Sequence, residues 1–381
     1  MRGADLIIIG GGCAGLSLAL QLSRSKGHDL RVAVLEPRPA YQHDRTWCFW
    51  GDLPPPLRGL VAHEWPRWQF SDGVAGHVHA APGTPYRYLR SGDFYERAQQ
   101  ILRDDVRIEL HQGVRAGAIG KDSGDSLFVV ETDGGEWRAA QVVDTRPPGN
   151  PGQAILQQVF AGAEIRTETP VFDPECAGLM EDMGRDEKGF YFTYVLPFEK
   201  NRGLVEFTRF TPVHLNPDAL SADLDRVLEA RYGPNAATVL DRESGSIPMG
   251  LKPVRPKAAE PGVIRAGTAA GAVRAATGYA FMRIQNWAER AAKDLIRGRA
   301  PAPSCPDGRA LRHMDRIFLQ VLARSPEYGP EVMMTLARVM DGPEFVRFMS
   351  GRAGIGEWAR IVAALPKATF LANLMRGMDR L

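Results

Sequence analysis

The chain has 381 residues, of which 44% are apolar and 24% are charged, and its formal net charge is +2. This length and apolar content suffice for a large core and about two domains. A near-neutral charge without a long basic tract gives no reason to expect nucleic acid as a partner. The first apolar strand begins almost at once and no apolar run approaches about 18 residues, so we expect neither a signal peptide nor a membrane span.

The cysteines and histidines do not have the spacing of a metal site. No CxxC pair occurs, and the histidines of the first third lack an HxxxH pattern, so we expect neither a zinc site nor a disulfide scaffold. A reducing, cytoplasmic location is consistent with this usage. The four cysteines are Cys13, Cys48, Cys176 and Cys305.

A glycine-rich turn joins the first predicted strand, Asp5–Ile9, to a helical stretch that ends near Leu22. In this G-x-G-x-x-G pattern Gly10 permits a tight turn, and Gly12 lets backbone amides approach a pyrophosphate. Gly15 lets the helix pack closely on the strand. A second strand then ends at Glu36, 21 residues after Gly15, where a carboxylate accepts hydrogen bonds from ribose hydroxyls. Together they predict a dinucleotide-binding unit.

The middle of the chain changes from this pattern to an aromatic, β-rich one. Strands are predicted over Leu127–Thr132 and Trp137–Asp144, and the second completes the first domain. The runs Phe190–Leu196 and Gly203–Phe210 lie on either side of a hairpin-like connection, which predicts an antiparallel sheet. Helical periodicity follows over Ala219–Tyr232.

The late part of the chain returns to the first domain with a short strand over Gly262–Gly267, a glycine- and alanine-rich turn to Gly271, and a helix over Ala280–Arg297. We predict three regions: a discontinuous cofactor domain over 1–150 and 255–300, a mainly β substrate domain over 151–254 to which 45–95 contribute, and a helical region over 301–381.

One Rossmann unit followed by a late glycine-rich turn resembles the FAD-binding two-domain flavoproteins of the p-hydroxybenzoate hydroxylase and glutathione reductase-like type. The resemblance implies the fold class: an α/β Rossmann-type FAD-binding domain, an inserted antiparallel-sheet substrate domain and a C-terminal helical region. In that fold the late segment passes the isoalloxazine ring. Thr268 departs from the pattern, because the familiar motif has an aspartate there.

Several motifs, in order along the chain, resemble the flavin-dependent lycopene cyclases of carotenoid biosynthesis. They cover the chain from end to end and are Asp44–Trp50, Tyr86–Tyr95, Leu204–Thr208, Gly245–Gly250 and Thr277–Phe281. The chain departs from the family at Ala275 and Ala276, where proline and serine are common.

Cyclising the end of a polyene needs an acid that protonates a double bond and a base that removes a different proton, without net electron transfer. Glu206 is the candidate acid, because its apolar and aromatic neighbours in the Gly203–Phe210 strand would desolvate it and raise its pKa. It also matches the acidic catalytic position of the family. Arg209, three residues on, is predicted to lie on the opposite face of the strand. A solvent-facing or ion-paired Glu206 is the alternative.

Aromatic faces in a dry pocket stabilise a carbocation without trapping it. The resemblance implies reduced FAD as the cofactor of a reaction without net redox change, with NAD(P)H as the reductant of the flavin. Each aromatic candidate for the substrate pocket has ordinary core packing as its alternative: Trp47, Phe49, Phe207 and Tyr279. The predicted cofactor-binding residues are Gly10, Gly12, Cys13, Ala14, Gly15, Glu36, Arg45, Asp144, Gly267, Gly271, Thr277 and Gly278.

The final fifth is locally basic, since residues 309–381 hold 11 Lys or Arg and 7 Asp or Glu. Apolar residues fall at helical spacing between Leu311 and Leu322 and again between Trp358 and Leu365. Two interpretations stay open: a helical bundle packed on the protein's own core, or a surface that contacts the membrane in which lycopene dissolves.

Two classes of function also stay open. The first is a lycopene β-cyclase that converts the linear ψ-ends of lycopene to β-ionone rings, giving γ-carotene and β-carotene, or a cyclase of a related carotenoid. The second is a redox flavoenzyme of the same fold, a monooxygenase or an isoprenoid reductase, in which Glu206 is structural. Product mass separates them, because cyclisation leaves the mass unchanged.

Overall fold

The computed structural model describes residues 2–122, 124, 126–147, 154–251, 262–303 and 307–367. The expected domain boundaries near 150 and 254, Cys305 and the end of the helical region from 368 lie outside these residues. The strands are β1 (Arg2–Ile9), β2 (Val32–Glu36), β3 (Thr46–Trp50), β4 (His63–Trp65), β5 (Arg67–Ser71), β6 (Gly76–Ala80), β7 (Tyr86–Arg90), β8 (Ile108–Gln112), β9 (Ala116–Lys121), β10 (Phe128–Thr132), β11 (Gly135–Asp144), β12 (Leu156–Thr167), β13 (Cys176–Asp186), β14 (Gly189–Glu199), β15 (Arg202–Thr211), β16 (Ala237–Met249) and β17 (Ile264–Arg265). The α-helices are α1 (Cys13–Arg24), α2 (Ser91–Arg103), α3 (Ser221–Tyr232), α4 (Phe281–Ile296), α5 (Arg309–Arg324), α6 (Gly329–Val339), α7 (Gly342–Met349) and α8 (Ile355–Ala364).

The first sheet has the strand order β8-β2-β1-β11-β10-β9, and β17 pairs with β11. Strands β8, β2, β1, β11 and β17 run parallel. The inner half of β1 is apolar and buried, as expected of a parallel strand that is covered on both faces. The predicted strands before and after the Asp133–Gly135 turn are confirmed as the antiparallel pair β10 and β11. Helices α1 and α4 pack together in the core beside this sheet.

The second sheet has the order β16-β12-β15-β14-β13-β5-β6. The predicted hairpin of β14 and β15 is confirmed, and the neighbouring pairs are antiparallel except β13 with β5. One face packs against α3 through a core that includes Val205, Phe207 and Leu224. The opposite face meets the C-terminal helices through a second core that includes Phe192, Phe210 and Leu319. Strands β3, β7 and β4 form a small third sheet.

The C-terminal helices cover the open face of the second sheet. In α5, Leu311, Met314 and Phe318 line an internal cavity, while Val321 and Leu322 are buried. The apolar stripe of α5 therefore faces the protein's own interior. Within the described ranges, no helix is long and apolar enough to cross a membrane.

Candidate active site

A cavity of about 1550 Å³ extends from the glycine turn before α1 to the C-terminal helices. Its wall is mostly apolar, and it is shared by the loops that follow strands of the first sheet, by the second sheet, by β3 and by helices α5 to α8. Residues that are predicted to bind a cofactor and residues that are predicted to contact a substrate therefore line the same cavity.

The glycine turn fits tightly against the first sheet and opens on the cavity. Gly10 has φ +97°, and a Cβ on Gly15 would lie 1.9 Å from the carbonyl oxygen of Gly10, so both positions require glycine. A Cβ on Gly12 would meet no atom within 4 Å, and Gly12 lines the cavity together with Cys13 and Ala14. Gly12 is also the N-cap of α1, and no side chain caps this helix. Unpaired amides at a helix N-terminus are suited to an anion.

Glu36 lies at the end of β2, buried beside the glycine turn rather than on the cavity wall. Its carboxylate accepts hydrogen bonds from Gly11 N at 2.7 Å, Arg38 N at 2.9 Å and Arg38 Nε at 2.8 Å. Arg38 also lines the cavity. Sequence reasoning missed Arg38, although its position two residues after the acidic residue was a usable signal.

Arg45 lines the cavity, and its Nη1 donates to the Asp44 carbonyl oxygen at 2.7 Å. Asp144, which is predicted to bind the cofactor, does not line the cavity. Asp144 is completely buried, and its carboxylate is occupied by Arg146 and by Arg265, the latter at 2.7 Å. The carboxylate of Asp144 therefore fixes the strand end and does not face the cavity.

The late glycine turn approaches the first one. Gly267 has φ +73°, and a Cβ there would lie 3.4 Å from the Cβ of Ala14. Gly267, Thr277 and Gly278 line the cavity, whereas Gly271 ends a short 3-10 helix in the left-handed conformation and does not line it. The two glycine-rich segments, far apart in sequence, thus form neighbouring parts of one wall.

Cys13 is half-buried in the cavity wall, and desolvation by the surrounding protein raises the pKa of its thiol to about 12. The side chains of Ser17 and Gln285 make hydrogen bonds that lower this pKa in part, and Gln285 Nε2 donates to Ser17 Oγ at 2.8 Å. The thiol of Cys13 therefore stays protonated at neutral pH and is a packing element of the wall.

Glu206 points into the cavity from β15, on the face shared with Thr208 and Phe210. It is 8% exposed. Gly162 on β12 pairs in register with Glu206 on one side and with Glu243 of β16 on the other. A Cβ on Gly162 would lie 2.8 Å from Glu206 Cγ and 3.3 Å from Glu243 Cγ. The missing side chain of Gly162 thus lets two carboxyl groups from separate strands meet above it.

Burial raises the pKa of Glu206 well above its ordinary value, and the charge of Glu243 and a hydrogen bond with that side chain raise it further. Two carboxylates in contact resist ionising together, so the proton of Glu206 is held more tightly. Arg209 lies on the opposite face, as expected, where it pairs with Asp186. Glu206 is therefore a buried acid without a cationic side chain among the groups that shift its pKa.

Of the four predicted pocket aromatics, Trp47 and Tyr279 line the cavity. Phe49 and Phe207 do not line it. Phe49 packs in the core of the first domain against Phe281, with ring centroids 5.0 Å apart. Phe207 follows Glu206 on the same strand, so it points to the other face, where it packs beneath α3.

Three tyrosine hydroxyls form a polar cluster in the cavity wall, which sequence reasoning missed. Tyr86 Oη lies 2.8 Å from Tyr194 Oη and 2.6 Å from Tyr279 Oη. Burial raises the pKa values of these phenols, so they stay neutral. No group of three or more His, Cys, Asp or Glu suited to a metal ion occurs within the part of the chain that the structure describes.

The protein has the fold of the FAD-binding flavoenzymes, as predicted. It is similar to a geranylgeranyl bacteriochlorophyll reductase-like protein from Thermoplasma acidophilum, with a TM-score of 0.63 at 13% identity over 95% of this chain and 96% of that chain. It is also similar to the flavin-dependent brominase Bmp2, with a TM-score of 0.60 at 16% identity over 100% of both chains. These likenesses establish the fold.

The sequence comparisons establish the family. The family model described as lycopene cyclase protein matches residues 5–375, and the chain belongs to the lycopene cyclase family. It is 26% identical over 382 residues to the lycopene beta-cyclase of Pseudescherichia vulneris, covering 95% of this chain and 94% of the relative. It is 27% identical over 385 residues to the lycopene beta-cyclase of Paracoccus sp. (strain N81106 / MBIC 01143), with coverage of 95% and 94%. The resemblance seen in the motifs is thus confirmed.

Proposed function

We propose that this protein is a lycopene beta-cyclase, which closes the linear ψ-ends of lycopene into β-ionone rings, by way of γ-carotene to β-carotene, without net redox change. The observation that carries the proposal is Glu206, a buried carboxyl group with a raised pKa in the wall of a large apolar cavity. Family membership supports the substrate class.

In this proposal protonated Glu206 gives its proton to the terminal double bond of the ψ-end. The neighbouring double bond then attacks the cation and closes the ring, and loss of a different proton leaves the ring double bond. The apolar wall excludes water that would trap the cation. Trp47 and Tyr279 present aromatic faces, which attract a positive charge.

FAD fits the residues that line the other end of the cavity. The uncapped N-terminus of α1, the open space beside Gly12 and the guanidinium groups of Arg38 and Arg45 are suited to a pyrophosphate. The late turn at Gly267 and Gly278 would hold the flavin end. Reduced FAD, when bound, supplies negative charge that stabilises cationic intermediates. We propose NAD(P)H as the reductant of this flavin.

We also propose that α8 contacts the membrane peripherally. Trp358 and Ile361 of this helix line the cavity, and so do Ile355 and Val362, which are 92% and 47% exposed to solvent. Arg352 and Lys367, next to the helix ends, are exposed and positively charged. An apolar surface flanked by basic residues, beside the cavity wall, suits entry of a hydrocarbon from an anionic bilayer.

The test is expression in bacteria that accumulate lycopene, with pigments separated by chromatography and identified by mass spectrometry. Wild type should give a yellow product of unchanged mass, and Glu206→Gln, which keeps the size and removes the acid, should leave lycopene acyclic. A product of altered mass would instead support a monooxygenase or an isoprenoid reductase. Unchanged lycopene with folded, FAD-bound wild type would overturn the proposal.

A further inference from the structure

Ring closure by acid–base chemistry requires two proton transfers at different carbon atoms. The function proposed above, on which this inference rests, gives the first transfer to Glu206. The group that accepts the second proton must lie in the same cavity, within reach of the closed ring, and must be ionised when Glu206 is protonated. Glu243 lies in that cavity beside Glu206 and has an oxygen that can accept a proton.

The position of Glu243 follows from strand register. It faces Glu206 across Gly162, and both carboxyl groups line the same cavity. Adjacent strands lie about 4.8 Å apart, so residues two strands apart meet only when the residue between them is small. A Cβ on Gly162 would come within 2.8 Å of Glu206 and 3.3 Å of Glu243.

The hydrogen bonds of Glu243 leave one oxygen available. Thr46 Oγ1 donates to Glu243 Oε2 at 2.9 Å. Glu243 Oε1 is buried and has no hydrogen-bond partner among the described residues. A buried carboxylate oxygen without a donor is costly, and protonated Glu206 is a donor in contact with this side chain. Glu243 therefore presents an acceptor oxygen to the O–H group of protonated Glu206.

We propose that Glu243 is a second catalytic carboxylate, which takes the proton lost by the closed ring and returns it to Glu206. The O–H bond of Glu206 breaks as a C–H bond forms on the substrate. A C–H bond of the ring later breaks, its electron pair becomes the ring double bond, and the proton passes to Glu243. Transfer of that proton between the two carboxyl groups restores the starting state, and no oxidant or reductant is consumed.

Other titratable groups around the pair come from the packed strands and the late turn. Cys48 of β3 interacts with both carboxyl groups, Tyr88 of β7 interacts with Glu243, and Tyr279 interacts with Glu206. Burial raises the pKa values of all three, so they stay neutral over the pH range in which the carboxyl groups titrate. A change in the pH profile at pH values where these three groups are neutral therefore reports on the glutamates.

The test compares wild type with Glu243→Gln, with Thr46→Val and with the control Glu229→Gln, which removes an exposed carboxylate of α3. Purified enzyme with reduced FAD is assayed on lycopene over a range of pH. We expect Glu243→Gln to lower the cyclisation rate by about 10²-fold and to give ring isomers with a displaced double bond or products that have gained one water. Thr46→Val, which releases the carboxylate, should show a smaller change of the same kind.

The pH profile distinguishes a catalytic carboxylate from a structural one. Removing the neighbouring negative charge lowers the pKa of Glu206, so the loss of activity at high pH should move to lower pH in Glu243→Gln. An unchanged rate, product and pH profile in a folded, flavin-loaded variant would overturn this inference while leaving the cyclase proposal intact. Wild type that leaves lycopene unconverted would defeat the cyclase proposal itself. If Glu243→Gln does not fold, Thr46→Val decides by the same readouts.

Discussion

Arg274 and Asp315 form an ion pair that is almost completely buried, with side chains 1% and 3% exposed. Arg274 belongs to the late glycine-rich segment, and Asp315 lies on α5. The Arg274 guanidinium also donates to the carbonyl oxygens of Phe348 and Met349 at the end of α7. The pair thus fixes the C-terminal helices to the segment that carries Thr277 and Gly278.

Replacing Asp315 with asparagine should destabilise the protein strongly. The change keeps the shape but leaves the buried Arg274 charge without its counterion, which costs about 3 to 5 kcal/mol. Urea unfolding of the purified protein measures this loss. The control is Asp294→Asn, which breaks a more exposed pair with Arg299 and should cost less than about 1 kcal/mol. Equal losses in the two variants would contradict the assignment of Arg274 as a buried anchor.

The raised pKa of Glu206 predicts a specific pH dependence of stability. Because the folded state holds this proton more tightly than the unfolded state does, the stabilisation is complete below the ordinary carboxyl pKa. It is lost as pH rises through the higher folded value. Wild type should therefore become less stable across this window, and Glu206→Gln should show a flatter curve. Urea unfolding at a series of pH values checks this, and parallel curves for the two proteins would rule it out.

Gly162→Ala should impair cyclisation without unfolding the protein. The added methyl group would displace Glu206 and Glu243 from each other, and a shift of reacting groups by about 1 Å costs up to about 10²-fold in rate. The matched control is Gly120→Ala, since Gly120 is also a strand glycine and a Cβ there meets nothing within 4 Å. The conversion of lycopene and the melting temperature are measured together. Full activity in Gly162→Ala would show that contact between the carboxyl groups is dispensable.

Gly12→Val should remove bound flavin while preserving the fold. Gly12 has an extended backbone conformation, and the new side chain would occupy cavity space where we place the pyrophosphate. Flavin absorbance after gel filtration should fall, with an unchanged melting temperature of the flavin-free protein. Gly15→Ala provides the contrast, because its Cβ would overlap the Gly10 carbonyl and should destabilise the fold itself. Retention of flavin by Gly12→Val would place the cofactor elsewhere.

Ile355→Asp should weaken binding to anionic vesicles in a flotation assay, because it puts a charge on the exposed apolar end of α8. The control is Val106→Asp, an equally exposed apolar residue of the first domain, which is 95% exposed. Flotation of both variants at the wild-type level, or no flotation of wild type, would refute a membrane-facing role for α8.

Local patterns predicted much of the fold. The glycine spacing, the apolar run of β1 and the acidic end of β2 placed the first domain, since each is a property of a short segment. Strand alternation placed Arg209 opposite Glu206 correctly. The same alternation places Phe207 on the opposite face of the strand from Glu206, away from the cavity wall.

The remainder depends on contacts between distant segments. Glu243 lies on a strand of mixed polarity, and nothing within Ala237–Met249 shows that its partner is a residue two strands away. Likewise, nothing in the sequence around Asp144 indicates that its carboxylate forms an ion pair with Arg265. The parallel pairing of β13 with β5 joins segments about a hundred residues apart, and this register is set by packing of the whole domain.

The pairing of Val143 with Ile264 has a consequence for how the protein is made. Strand β17 and the Gly267 turn leave the ribosome only after the entire second sheet has been translated. An N-terminal fragment that stops before Ile264 therefore lacks one side of the proposed flavin site, however well its first strands fold. The proposed flavin site is therefore complete only after the substrate domain has been synthesised. Until then, flavin bound in the complete site cannot stabilise the nascent first domain.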